Sequence, residues 1–164
     1  MIPIRRESYD PLVHYKRRFD FEGLKFAIMA TAPAIIIHEL AHKFVALLYG
    51  LQATFHAAYF WLGFGILLKL MNFGFIFFVP GYVSISGISN HLQSALTAFA
   101  GPLINLLLWL FAYLALKNKW LHKKYNAVLF LTKRINMFLF FFNMIPIGFF
   151  DGAKFFNGLI EYFF

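Results

Sequence analysis

His38-Glu39-Leu40-Ala41-His42 puts two imidazoles and a carboxylate within five residues of one apolar stretch. On a helix turning ~100° per residue, the two histidines stand about 40° and one turn apart, so both can converge on one ion. Glu39 then points to the flank, where it can take a proton from a metal-bound water without being a ligand itself. The pattern therefore reads as a hydrolytic metal site. Two other readings use the same imidazoles, as hydrogen-bonded helical histidines or as axial ligands to haem. Neither accounts for a carboxylate beside them in an apolar run.

A catalytic zinc ion asks for a third protein ligand and keeps a further position for water. The chain has no Cys, so that ligand must be His, Asp or Glu. Glu7, Asp10, Asp20 and Glu22 lie near the start and Glu161 near the end, leaving Glu39 and Asp151 as the only acids from Gly23 to Ile160. Asp151 is the candidate third ligand, weighed against a helix-capping role or pairing with Lys154. His14 and His122 fall in basic, solvated stretches, and His56 and His91 read as interfacial or cavity-wall residues.

These groups sit in a chain of 164 residues that is 61% hydrophobic and only 13% charged, with 24 Phe. That is more apolar surface than so short a chain can hide in its own core, which excludes a disordered or purely water-soluble protein and makes lipid the expected solvent. The net charge of +8 could suggest nucleic acid. Its bases, however, gather at the ends of apolar runs: Arg5, Arg6, Lys16, Arg17, Arg18 and Lys25 before the first, and Lys117, Lys119, Lys123 and Lys124 in a later gap. Anchoring at anionic headgroups explains that distribution, so a bilayer is the expected partner and nucleic acid is not.

Residues 1–22 read as an interfacial lead-in and 23–164 as the core. The run from Gly23 to Tyr49 reaches about 39 Å as a helix, enough to cross a ~30 Å hydrocarbon layer, with Pro33 inside it and Gly50 as the stop. A second span is expected from His91 to Leu116 and a third from Asn126 to Phe150. Between the first two, Gly63, Gly65, Lys69, Asn72, Gly74, Pro80, Gly81 and Gly87 interrupt Leu51–Asn90, a poor composition for one straight crossing. A re-entrant element is expected there, with a short helix near Trp61–Met71 and a β-like stretch through Phe75–Ser86. The fold class is thus an all-α, multi-pass integral membrane protein: three transmembrane helices with a re-entrant, partly β-like segment between the first and second. If that segment makes no net crossing, both basic regions fall together on the cytoplasmic side.

Three further stretches carry a family resemblance. Asn143-Met144-Ile145-Pro146-Ile147-Gly148-Phe149-Phe150-Asp151-Gly152 resembles the N-x-x-P-x(4)-D-G element of the site-2 proteases, the intramembrane zinc metalloproteases. Ala100-Gly101-Pro102-Leu103-Ile104-Asn105 is similar to their A-G-P-x-x-N stretch, and Pro80-Gly81-Tyr82-Val83 resembles their P-x-G-Y-V-like segment with one Gly fewer. The resemblance implies that His38, His42 and Asp151 hold one Zn2+ and that Glu39 is the general base. It further implies that Asn105 and Asn143 line the site or stabilise the oxyanion. The segment including Phe78, Pro80, Gly81, Val83 and Ile85 would present a strand edge to a single-span membrane protein or peptide substrate. The alternative from another class is a membrane metal-ion or proton transporter that uses the same His/His/Asp cluster.

Overall fold

The computed structural model describes residues 21–60, 63, 64, 67, 71 and 81–164. Helix α1, Phe21–Leu48, carries Pro33 in its interior and ends where Gly50 takes a left-handed φ of 72°, a conformation open to glycine without strain. Strand β1, Gln52–Ala57, pairs antiparallel with β2, Gly81–Ser86, with Ala53 opposite Ile85 and Phe55 opposite Val83. Helix α2, His91–Lys117, starts at Asn90, whose side chain accepts from the Gln93 amide at 2.7 Å. A short 3-10 turn, Lys123–Tyr125, leads into α3, Asn126–Asn143, and α4 follows at Asp151–Phe163.

Small and polar residues form the contacts between these helices. Ala34, His38, His42 and Ala46, spaced by four, make one buried stripe on α1. Facing it on α2 is a second stripe at the same spacing: Thr97, Gly101 and Asn105. Helices α3 and α4 pack on the other sides of α2. Ala112, Ala115 and Leu129 form a small apolar cluster between α2 and α3, and Phe99 stacks on Phe155 of α4 at 4.7 Å. The largest fully buried side chains are Asn105, Asn136, Thr97 and Pro102, whereas Ile36, Leu40, Phe44, Leu47 and Leu48 of α1 all lie exposed. This inverts the usual burial order of a water-soluble domain.

Among the described residues, two helical stretches are long and apolar enough to cross a membrane, Thr31–Leu48 within α1 and His91–Lys117. The expected third span, Asn126 to Phe150, is not one unbroken helix. Residues 126–150 divide into α3 and a turn at 144–150, and α3 carries Lys133, Arg134 and Asn136 along 18 residues. Lys133 lies over the Tyr113 ring and Arg134 over Phe130, which gives both cations an aromatic face. Strand β1 was not expected, and it turns part of the interrupted segment into a hairpin-like sheet. Within the expected short helix at 61–71, residues 63, 64 and 67 have helical backbone, as do 59 and 60 just before it, and the others are either in a turn (71) or outside the described residues. Residues 1–20, which make up most of the lead-in, and 72–80 lie outside the described residues.

Helix α4 reaches α2 through Gly158, where a Cβ would fall 2.7 Å from the His91 carbonyl oxygen and 3.1 Å from Ala95. A bulky side chain there must push the two helices apart. Gly158→Val is expected to destabilise the fold by about 1–3 kcal/mol, the usual cost of overpacking, read as earlier unfolding in detergent. Unchanged unfolding would contradict this close approach.

Candidate metal centre

Helix α1 supplies two imidazoles to one point and α4 supplies a carboxylate. Asp151 Oδ2 lies 3.1 Å from His38 Nε2 and 3.2 Å from His42 Nε2, and the two Nε2 atoms are 3.1 Å apart. Asp151 is the first residue of α4, so its charge sits at the favourable positive end of that helix. Gly148, with φ of 58°, turns the chain after α3. Gly152 then lets α4 abut Met144: a Cβ on it would fall 2.8 Å from Met144 Cα and nearer still to its carbonyl. Phe150, not Asp151, occupies the N-cap, so the capping alternative does not describe Asp151.

The outer nitrogens of both rings determine what the inner ones offer. His42 Nδ1 lies 2.8 Å from the Thr97 carbonyl oxygen, which can only accept, so Nδ1 carries the hydrogen and Nε2 presents a lone pair. His38 Nδ1 donates in the same way to Asn105 Oδ1. With both rings neutral, as metal ligands must be, two lone pairs and a carboxylate oxygen therefore converge with no proton among them. Three acceptors in that relation repel one another, and a cation between them removes the conflict. Zinc bonds of ~2.0–2.1 Å at tetrahedral angles place ligand atoms about 3.3 Å apart, close to the separations found here.

Room for the ion comes from Gly101 on α2, where a Cβ would stand 2.6 Å from His38 Nε2 and closer still to His42 Nε2. The charges also match. Asp151 and Glu39, the only carboxylates in the core interior, together balance a divalent ion. The residues present fit zinc.

A cavity of about 840 Å³ opens onto this point, lined by His38, Glu39, His42 and Asp151, by β2 and by Asn143. Glu39 Oε2 accepts a hydrogen bond from the Val83 amide at 3.1 Å. That amide therefore points away from β1, from an edge of β2 that pairs with no other strand among the described residues, and in an antiparallel ladder Gly81 and Ile85 expose their backbone groups on the same side. All three line the cavity. Phe78 and Pro80 lie outside the described residues.

Asn143 lines the cavity and donates one amide hydrogen to the Leu139 carbonyl at 3.0 Å. Asn105 differs from its expected catalytic role. It is 0% exposed and its amide is committed to His38 and Asn136, so it orients a ligand from behind and does not face the cavity. The sequence reading missed Thr97 and Asn136. Thr97 stands one turn before Gly101 on the same face of α2. Asn136 was legible only as an amide inside an apolar helix. The other described histidines serve elsewhere: His56 bonds Ser84 across the sheet, His91 pairs with Glu161, and His122 caps the 3-10 turn.

No protein-family model matches the chain, and no solved structure matches it. A curated protein of Methanocaldococcus jannaschii named "Putative zinc metalloprotease" is 39% identical over 132 residues, covering 78% of this chain and 67% of the relative. The chain belongs to this zinc metalloprotease family. For a zinc metalloprotease the converging His38, His42 and Asp151 are a compatible metal site, and zinc is its cofactor.

The close approach of α2 gives this metalloprotease a sharp test. Gly101→Ala should purify with less than about a tenth of the wild-type zinc, because the added methyl occupies the ligand atoms' meeting point. Full metal content in that variant would contradict the geometry.

Proposed function

We propose that the chain is an intramembrane zinc metalloprotease of the site-2 type, which cuts a peptide bond within or near the membrane span of a single-span protein. One observation carries this reading: the His/His/Asp cluster, a flanking carboxylate and an edge of β2 unpaired among the described residues share one cavity. Further support comes from the inverted burial of α1 and α2, where large apolar side chains cover the outside as contact with lipid requires. We read α3 as the third crossing of a multi-pass membrane protein, with Lys133 and Arg134 directed toward the headgroups near the basic 117–124 linker.

When bound, zinc lowers the pKa of a coordinated water toward ~7 and polarises a carbonyl. Glu39 takes the proton from the attacking water and later delivers it to the leaving amine. Asn143 has a second amide hydrogen for the charge that develops on the carbonyl oxygen. A substrate helix must unwind locally before its peptide bond is accessible, and pairing with the free edge at Gly81, Val83 and Ile85 replaces the hydrogen bonds it loses. Such pairing competes with Glu39 for the Val83 amide, so the arriving strand also releases the base.

Incubating detergent-purified protein with a panel of single-span peptides, with and without chelator, tests the proposal. Wild type should cleave in a chelator-sensitive way, while Glu39→Gln keeps zinc and loses cleavage by at least ~100-fold. Peptides left intact by the zinc-loaded wild type, together with zinc or proton flux in vesicles, would favour a transporter. The edge has its own expected result. Val83→Pro removes the central amide and should slow cleavage with zinc content unchanged, and wild-type turnover would count against strand addition.

A further inference from the structure

We infer that Asn136 is a positioning residue for the metal: acting through Asn105, it determines which nitrogen of His38 carries the hydrogen. This inference rests on the metal centre and does not depend on what the enzyme cleaves. An asparagine amide has a donor end and an acceptor end, so it transmits whatever orientation its partners impose. Asn105 sits fully buried between His38 and Asn136. Turned over, it would present its NH2 group to His38 Nδ1. The ring would then have to accept there, moving its hydrogen to Nε2 and withdrawing the lone pair from the metal.

Asn105 alone cannot choose between the two orientations. The choice is made on α3, at the Thr132 carbonyl, a group that can only accept. Asn136 Nδ2 donates to it at 2.8 Å, which turns Asn136 Oδ1 toward Asn105. Asn105 Nδ2 donates to that oxygen at 2.8 Å, which turns Asn105 Oδ1 toward His38. Three hydrogen bonds in series thus carry the polarity of one backbone carbonyl to the lone pair of His38. His42 needs no such relay because its Nδ1 meets the Thr97 carbonyl directly. Asn136 is 1% exposed, and its amide contacts neither the cavity nor the metal ligands.

The test measures Zn2+ affinity by chelator competition on the full-length chain in detergent. Asn136→Leu, which keeps side-chain size and removes both hydrogen bonds, should weaken binding by about 10–100-fold, the usual effect of losing an outer-shell partner. Asn105→Asp in that background should restore it, because a carboxylate has no donor end to turn toward His38. Wild-type affinity in Asn136→Leu, or a loss that Asn105→Asp leaves unrepaired, would overturn the relay and leave Asn136 a packing residue. Imidazole nitrogen NMR of the metal-free wild type gives a reading independent of any variant's folding. Hydrogen on Nδ1 of His38 supports the relay, and hydrogen on Nε2 overturns it. Zinc binding with no peptide cleavage would sink the proteolytic reading and leave the relay standing.

Discussion

Three acceptor atoms held about 3 Å apart, with the hydrogens of both imidazoles turned outward, are the constraint on which the rest of this molecule depends. Bringing lone pairs together without a donor is unfavourable for a bare protein. It becomes favourable once a divalent cation sits between them, and the two interior carboxylates then balance its charge. Each imidazole is anchored on its far side to α2, His42 by a backbone carbonyl and His38 by an amide, so neither ring can turn to relieve the conflict by itself.

Holding that arrangement dictates the helix packing. Imidazoles from α1 can meet a carboxylate from α4 only if α2 passes close beside them, and Gly101 provides that approach. Alanines continue the small-residue stripe on α1, and the longer apolar side chains are left to the outside. Close backbone approach and interhelical hydrogen bonds replace the large apolar core that a water-soluble domain would use. The same arrangement sets Glu39 against the outer edge of β2, so the proposed base and the proposed site for an extended substrate share one wall of the cavity.

Much of this was legible in the sequence because it depends on local spacing. The i, i+4 placement of His38 and His42, the scarcity of interior acids that singles out Asp151, and Gly50 as a stop all follow from periodicity and composition. The parts that were not legible depend on long-range partners. Gln52–Ala57 does alternate Gln52, Thr54 and His56 with Ala53, Phe55 and Ala57, but the strand is largely exposed on both faces and buries no apolar side, and its pairing with β2 is what defines it. The break after Asn143 is marked in the sequence by Pro146 and Gly148, but the apolar residues around them let the run read as one span to Phe150; a left-handed Gly148 and a new helix start make the break. The family resemblance implies that Asn105 lines the site or stabilises the oxyanion, yet its neighbours from α1 and α3 engage both ends of its amide. Locally Asn136 shows only as an amide inside an apolar helix, because its role exists only across three helices.

The coordination of the metal itself tests the account most directly. X-ray absorption at the zinc edge of the purified chain, compared with Asp151→Ala, should give two imidazole nitrogens and carboxylate oxygen in the wild-type first shell at ~2.0–2.2 Å, with the carboxylate contribution lost in the variant. A wild-type shell with fewer than two imidazoles, or one that the variant leaves unchanged, would contradict it.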